Sequence, residues 1–436
     1  MSIKKVAAYT LGCKVNLYDT QAMLDLLVKA GYTVVDFENT ADVYIINTCT
    51  VTGASDKKSR QMIRRAVRKN PNAIIVVAGC YAQASADKVL EIDGVDIVLG
   101  TKDRGRLAKI IKSHVSEKQP ESFVTDVDGE YVFEELSVGE FNERTRAFVK
   151  IQDGCDRFCS YCIIPYVRGP VRSRSPQEII DEVTRLTHEG YKEFVLAGIH
   201  VASYGRDLPN IDLTDIITEI HDIEGVKRIR LSSIEPMFVN DKFLKAASSL
   251  EKLCNHFHLS LQSGSIQTLK AMNRMYTPDD YLLAVNSLKN AMPGTAFTTD
   301  IIAGFPGETD AAFEESLRFV ESVGLSKIHV FPYSRRQGTP AADFANQIPQ
   351  QVINTRTERM LALGDKLHRD FLKNSVNKEF DVLFEQECDN NVYAGYSRDY
   401  LPVRAASQDN LINKLCCVRI SSVSDSFVFG EILKFY

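Results

Sequence analysis

No apolar run in this sequence is long enough to cross a bilayer. The first residues, Met1-Ser2-Ile3-Lys4-Lys5, lead straight into a short strand pattern and not into a secretory signal. The expectation is a cytoplasmic protein without a membrane partner. An overall positive field is also missing. The formal charge is −5, so any nucleic-acid partner would have to be held by local basic patches. The 10 cysteines are then expected in a reducing compartment. There, clustered cysteines bind metal or do chemistry more often than they form disulfides. The apolar and charged fractions, 44% and 25%, are ordinary, and 436 residues are enough for two or three domains with their own cores.

What is present is concentrated in one stretch, Gln152-Asp153-Gly154-Cys155-Asp156-Arg157-Phe158-Cys159-Ser160-Tyr161-Cys162. Three cysteines at C-x3-C-x2-C spacing can hold three corners of a cubic iron–sulfur cluster. A structural zinc site closes with four ligands, whereas an open corner leaves a metal free to bind another molecule. A zinc knuckle with a distant fourth ligand stays open on spacing alone.

Upstream, apolar strands alternate with periodic helices. Val6–Leu11, Val43–Asn47, Ala73–Ala78 and Asp96–Leu99 read as strands, Leu17–Lys29 and Ser55–Lys69 as helices. This is a βαβ series with a parallel sheet. Cys13, Cys49 and Cys80 each follow one of its strands, at the edge where loops of an open α/β sheet converge on a ligand. The chain therefore carries two cysteine triads.

The stretch around Cys155, Cys159 and Cys162 resembles the cluster loop of radical S-adenosylmethionine (SAM) enzymes. Two triads in this order resemble the methylthiotransferase branch of that superfamily, the MiaB-like proteins. The words Thr10-Leu11-Gly12-Cys13-Lys14-Val15-Asn16 and Gln152-Asp153-Gly154-Cys155 look most like the subgroup acting on N6-threonylcarbamoyladenosine (t6A) at tRNA position 37. The branches acting on isopentenyladenosine or on a ribosomal-protein aspartate usually differ after the first cysteine. The resemblance implies two [4Fe-4S] clusters, one on each triad, with SAM on the open iron of the second. It implies that one SAM methylates a sulfur on the auxiliary cluster. A second is cleaved to a deoxyadenosyl radical that takes hydrogen from C2 of the adenine. The implied partners are the anticodon stem-loop carrying t6A37, SAM and a reducing electron donor.

The same resemblance organises the rest of the chain. Residues 1–140 would form the first domain and 141–374 an open (β/α)6 barrel. Residues 375–436 would form a small OB-like β-barrel of the TRAM type, a platform for RNA. The polar segment Leu107 to Glu143 reads as a linker. Barrel strands are expected at Ala147–Ile151, Glu193–Ala197, Arg228–Leu231, Phe257–Leu261, Phe297–Ile302 and Lys327–Phe331, with chemistry at their carboxyl edge. Loops there supply candidate SAM contacts: Tyr161, Gly198, His200, Gln262, Ser263, Ile302, Gly304 and Tyr333. His200, His256 and His258 read as hydrogen-bonded and not metal-ligating. Candidate RNA contacts are Arg168, Arg172, Arg174, Arg335 and Arg336, with Arg398, Arg404 and Lys414 on the tail. A second basic group, Lys57, Lys58, Arg60, Arg64, Arg65, Arg68 and Lys69, lies on one helix. Cys254, Cys388, Cys416 and Cys417 read as structural. The rival of another class is a non-catalytic zinc and RNA-binding protein.

Overall fold

The computed structural model describes residues 4–117, 119–127, 132–136, 138, 139 and 145–436. Within them the N-terminal strands form one parallel sheet in the order Tyr32–Val34, Lys4–Thr10, Val43–Thr48, Ile74–Gly79, Ile97–Leu99, Glu121–Ser122. Its central strand Val43–Thr48 is buried along its whole length, as a strand covered on both faces must be. Met62, Ile63 and Ala66 of helix Gly53–Lys69 cover one face. Met23, Leu24 and Leu27 of helix Lys14–Lys29 cover the other, with Leu107, Ile110 and Ile111 of helix Leu107–Glu117.

That last helix corrects the linker reading. Its apolar residues recur at helical spacing inside a sequence polar enough to look like a connector. Strand Glu121–Ser122 then adds to the sheet edge, and Leu136 and Val138 are buried against the next domain. Residues 118, 128–131, 137 and 140–143 of the expected linker lie outside the described residues.

Six further parallel strands follow: Arg146–Lys150, Glu193–Ala197, Arg228–Leu231, His256–His258, Ala296–Ala303 and Lys327–Pro332. They form two three-stranded halves joined by the bridges Ile229↔Leu253 and Ile234↔Leu259. Among the described residues the first and last of these strands do not pair, so the barrel is open. Helices Pro176–His188, Leu213–Asp222, Asp241–Ala247, Pro278–Ala291 and Asp310–Val323 are the crossovers. Two of them begin with a capping box, Asp212 with Asp215 and Thr277 with Asp280. Helix Gln350–Lys373 closes the region.

The tail is a closed five-stranded barrel in the order Glu379–Asp389, Val392–Ser397, Pro402–Ala406, Val428–Phe435, Leu415–Val423. Cys416 points into it and Cys417 is partly exposed, as alternation along a strand demands. The tail covers the amino ends of the barrel strands. Arg228 donates to Tyr396 O at 2.9 Å and to Asp381 O. Arg230 donates to Ser397 O and Arg398 O, both at 3.1 Å. Glu193 sits between these two guanidiniums, 2.7 Å from Arg230. A buried charge stripped of its partner costs about 3–5 kcal/mol, so the tail and Glu193 are obligatory to this end of the barrel.

Candidate active site

The three N-terminal cysteines meet because their strands are neighbours in register, with Thr10 opposite Asn47 and Thr48 opposite Gly79. Gly12 has φ +103°, and a Cβ there would stand 2.9 Å from Cys49 Cβ, so only glycine lets the first two loops touch. Two asparagines lace the loops together. Asn16 donates to Leu11 O at 2.8 Å and Thr48 O at 2.9 Å, and Asn47 donates to Asn16 O at 2.8 Å. Burial pushes the Cys80 thiol up to about 11 and raises Cys49 as well, and the neighbouring cysteines add to both shifts. Such thiols stay protonated unless a positive centre takes the proton, which is what a metal cluster does. Among the described residues no three Cys, His, Asp or Glu side chains converge as ligands of a single ion. The donor set, three grouped thiols on one sheet edge, fits an iron–sulfur cluster.

The second triad is held as firmly. Gly154 has φ +73°, and a Cβ there would lie 1.8 Å from Pro170 O. Phe158 takes φ +45° without being glycine, a conformation kept only where surrounding contacts impose it. Those contacts are Cys155 N to Gly169 O at 3.0 Å, Ser160 N to Met272 O at 3.1 Å and Ala341 N to Ser160 O at 2.7 Å. Asn273 also donates to Phe158 O at 3.1 Å. Burial raises Cys155 to about 11 and Cys162 to about 12. Arg274 donates to Cys159 Sγ at 3.1 Å and pairs with Glu235 at 2.9 Å. Glu235 also meets Arg157 at 2.8 Å and His200 at 3.2 Å. Burial alone would raise the Glu235 carboxyl, but His200, Arg274 and Arg157 hold it down to about 2. A guanidinium against a cysteine sulfur suits an anionic cluster.

Between the two domains lies a cavity of about 210 Å³, lined in part by Thr52, Tyr161, Gln262, Asp300, Ile302 and Tyr333. Tyr161, Gln262, Ile302 and Tyr333 were expected at the cofactor site and are brought together here. Gln262 is held at φ +71°. A larger cavity of about 700 Å³ between barrel and tail is lined by none of the expected cofactor residues, so the smaller one, with Tyr161 next to Cys162 in its wall, is the candidate.

Four candidate SAM contacts have other occupations. A Cβ on Gly198 would stand 2.8 Å from Gln152 Oε1, so the close approach it permits is by Gln152. That side chain accepts from His200 N at 2.8 Å and donates to Asp153 O and Gly154 O at 2.7 Å, fastening the cluster loop to the next strand. Gly304 makes room for Ile353, whose Cγ1 would lie 2.5 Å from an added Cβ. Ser263 is fully buried and accepts from Ser265 N at 3.2 Å. His200 belongs to the ion network of Glu235. His256 and His258 are hydrogen-bonded strand histidines, through Thr298 at 3.2 and 3.0 Å.

The basic residues need the largest correction. Arg168, Arg172 and Arg174 are buried and unavailable to RNA. Arg168 pairs with Asp153 at 2.8 Å. Arg172 donates to Arg168 O and Pro170 O. Arg174 pairs with Glu182 and Glu135. Arg336 binds Asp56 at 2.7 Å and Thr50, joining the two domains beside the cavity. Arg398 donates to Leu253 O at 2.8 Å within the tail joint. Arg335 is exposed, as are Lys57, Lys58, Arg64 and Arg68 on the helix that begins at the cavity. Arg65 and Lys69 are engaged with Glu38, and Arg60 donates to the Tyr81 hydroxyl at 3.1 Å. On the tail, Arg404 lies over the Phe427 ring at 3.8 Å, and Phe427 meets Phe429 edge-on at 5.1 Å.

Sequence reasoning missed Gln152, Glu235, Arg274 and Lys14. Lys14 is solvent-accessible although protein crowds it on most sides. Burial, Arg146 and Arg230 pull its ammonium down to about 8, opposed by Glu193. These three charged neighbours stand on barrel strands, and Lys14 itself is one residue from Cys13. No carboxylate pairs with it among the described residues.

Two family models match the chain: the Radical SAM superfamily over residues 149–320 and the Uncharacterized protein family UPF0004 over residues 5–100. The chain is 44% identical, over 98% of its length and 96% of the relative's, to a Bacillus subtilis protein named threonylcarbamoyladenosine tRNA methylthiotransferase MtaB. It is 37% identical, over 99% and 97%, to a Clostridium novyi protein named tRNA-2-methylthio-N(6)-dimethylallyladenosine synthase. Among solved structures it resembles a radical S-adenosylmethionine methyltransferase from Kitasatospora setae bound to cobalamin and a [4Fe-4S] cluster. The TM-score is 0.57 at 14% identity, over 78% of this chain and 77% of that one, a likeness of fold.

Proposed function

The chain belongs to the methylthiotransferase family of radical SAM enzymes, and from that premise we propose that its substrate is N6-threonylcarbamoyladenosine at position 37 of tRNA. As a tRNA methylthiotransferase it uses SAM and [4Fe-4S] clusters, and the zinc-binding, non-catalytic alternative falls. Cys155, Cys159 and Cys162 would hold the cluster that binds SAM, and Cys13, Cys49 and Cys80 the auxiliary one. When bound, these groups supply the radical and the transferred sulfur; the protein orients them and keeps water out. A base from a single-stranded loop is splayed into a pocket of this kind more readily than one from a duplex. No helix among the described residues is long and apolar enough to cross a membrane, which suits a cytoplasmic enzyme fed by a soluble electron donor.

Lys14 is the observation that carries the choice of N6 substituent. A threonylcarbamoyl group ends in a carboxylate, and an isopentenyl group is purely apolar. An unpaired ammonium beside Cys13 suits the first and penalises the second by its own desolvation. A charged hydrogen bond of this kind contributes about 1.5–3 kcal/mol, roughly 10- to 100-fold in binding. Lys14→Gln should therefore lower methylthiolation of t6A tRNA by roughly that factor while SAM cleavage continues. Nucleoside mass spectrometry on tRNA bearing either substituent reads the outcome. Equal use of both substituents, or turnover of a ribosomal-protein loop, would overturn the assignment.

RNA affinity is expected from the tail's outer face. Phe429 and Phe435 are exposed there, with Arg404 over Phe427 and Lys414 near the ring of Phe435. Interleaved rings and cations are what single-stranded RNA stacks on, at about 1–3 kcal/mol per base. Deleting the tail would also unpair Arg228 and Arg230, so surface changes test the point more cleanly. Phe429→Ala with Arg404→Ala should weaken tRNA binding at least about tenfold in a filter-binding titration and leave SAM cleavage intact. Unchanged affinity would make the tail a structural cap only.

A further inference from the structure

One guanidinium links the two cysteine sites. Arg168 lies six residues after Cys162, on the polypeptide of the second triad. Its Nε nevertheless donates to the sulfur of Cys80, in the first triad, at 3.3 Å. Its other nitrogens reach Asp153 at 2.8 and 2.9 Å, Asn16 at 2.7 Å and Asp19 at 3.3 Å. Asp153 Oδ1 in turn accepts from Gly154 N at 2.8 Å, next to Cys155. An unbroken chain of contacts therefore runs from the Cys80 sulfur through Arg168 to the second cluster loop. The side chain is wholly buried. Lys150 and Arg104 share the same two aspartates, and Arg104 also pairs with Glu134. With Arg172 near Asp153, the cations of this nest outnumber the carboxylates by one. Of these cations Arg168 is the one that lies against the first triad, at the Cys80 sulfur.

We infer that Arg168 is a positioning residue that sets the reduction potential of the auxiliary cluster through its hydrogen bond to Cys80. The inference rests on Cys13, Cys49 and Cys80 being cluster ligands. Adding an electron to a thiolate-bound cluster adds negative charge. A buried cation donating to a ligand sulfur stabilises that reduced form and raises the potential. Removing it should move the potential the other way. The Asn16 and Asp153 contacts fix the guanidinium's plane, so a lysine, with one compact charged head, cannot reproduce the contact.

The test uses the full chain with Cys155, Cys159 and Cys162 replaced by alanine, so that after anaerobic iron and sulfide loading only the auxiliary cluster gives a signal. Dithionite titration followed by electron paramagnetic resonance compares Arg168 with Arg168→Gln and Arg168→Lys. Both variants should keep their iron and show midpoints shifted to more negative potential, Arg168→Gln the further. Unchanged midpoints at full iron content would overturn the inference. Loss of iron from both variants with circular dichroism unaltered would also overturn it, leaving Arg168 a strut. Absence of iron in the parent with Arg168 intact would instead defeat the ligand assignment itself.

Discussion

Replacing Cys155, Cys159 and Cys162 with alanine is expected to halve the iron of the anaerobically reconstituted chain and abolish reductive cleavage of SAM. The intact protein should hold about eight irons and about eight sulfides, two cubane clusters. The loop survives the substitution because its shape is set elsewhere, by the backbone bonds to Gly169, Met272 and Ala341. Desolvation makes the Cys155 and Cys162 thiols reluctant to ionise, so alanine at these positions removes ligands without leaving a charge unpaired. Iron and sulfide analysis with chromatographic detection of 5′-deoxyadenosine checks both halves. Full iron content in the triple variant, or one zinc per chain and no iron uptake in the parent, would refute the assignment.

The mirror experiment separates the two sites. Replacing Cys13, Cys49 and Cys80 with alanine should abolish methylthiolation of tRNA while SAM is still cleaved. The ligands in question sit on loops of the N-terminal sheet, whereas Tyr161, Gln262, Ile302 and Tyr333 line the cavity from the barrel. Two contacts between the domains, Arg336 with Asp56 and Gly53 N with Ser334 Oγ at 3.0 Å, do not involve the cysteines, so the domains stay joined. Product analysis by mass spectrometry alongside 5′-deoxyadenosine release distinguishes the outcomes. Complete loss of SAM cleavage with barrel iron intact would mean that the two triads do not divide the work.

Periodicity and turn chemistry made most of the fold legible. The strands at Glu193–Ala197 and Arg228–Leu231 and the helix Pro176–His188 lie where apolar spacing puts them, and the cysteine words pointed to both triads. The arginines were misread for a physical reason. A basic residue near a motif looks free until its partner is known, and several of the partners here are remote in sequence. Arg168 meets Asp19 from 149 positions away, and Arg228 is received by backbone carbonyls of the tail. Such pairings have no local signature. The glycines are a different case: at Gly198 and Gly304 the space a side chain would take is filled by Gln152 or Ile353 of the same protein. Helix Leu107–Glu117 was hidden by its polar outer face.

The way the tail is docked has a consequence for how such a protein can change. Arg228 and Arg230 address it through main-chain oxygens, those of Asp381, Tyr396, Ser397 and Arg398. Lys192 likewise takes Asn413 O at 2.7 Å. A carbonyl is the same whatever side chain it carries. The joint therefore constrains the path of the tail's backbone more than its amino acids, the exceptions including Glu385 and Tyr400, partners of Arg146, and Arg398 and Asn413, whose side chains donate to Leu253 O and Gly190 O. Its outer residues are free to be rewritten, by selection or by an engineer grafting another five-stranded module, and the seal at the foot of the barrel would hold.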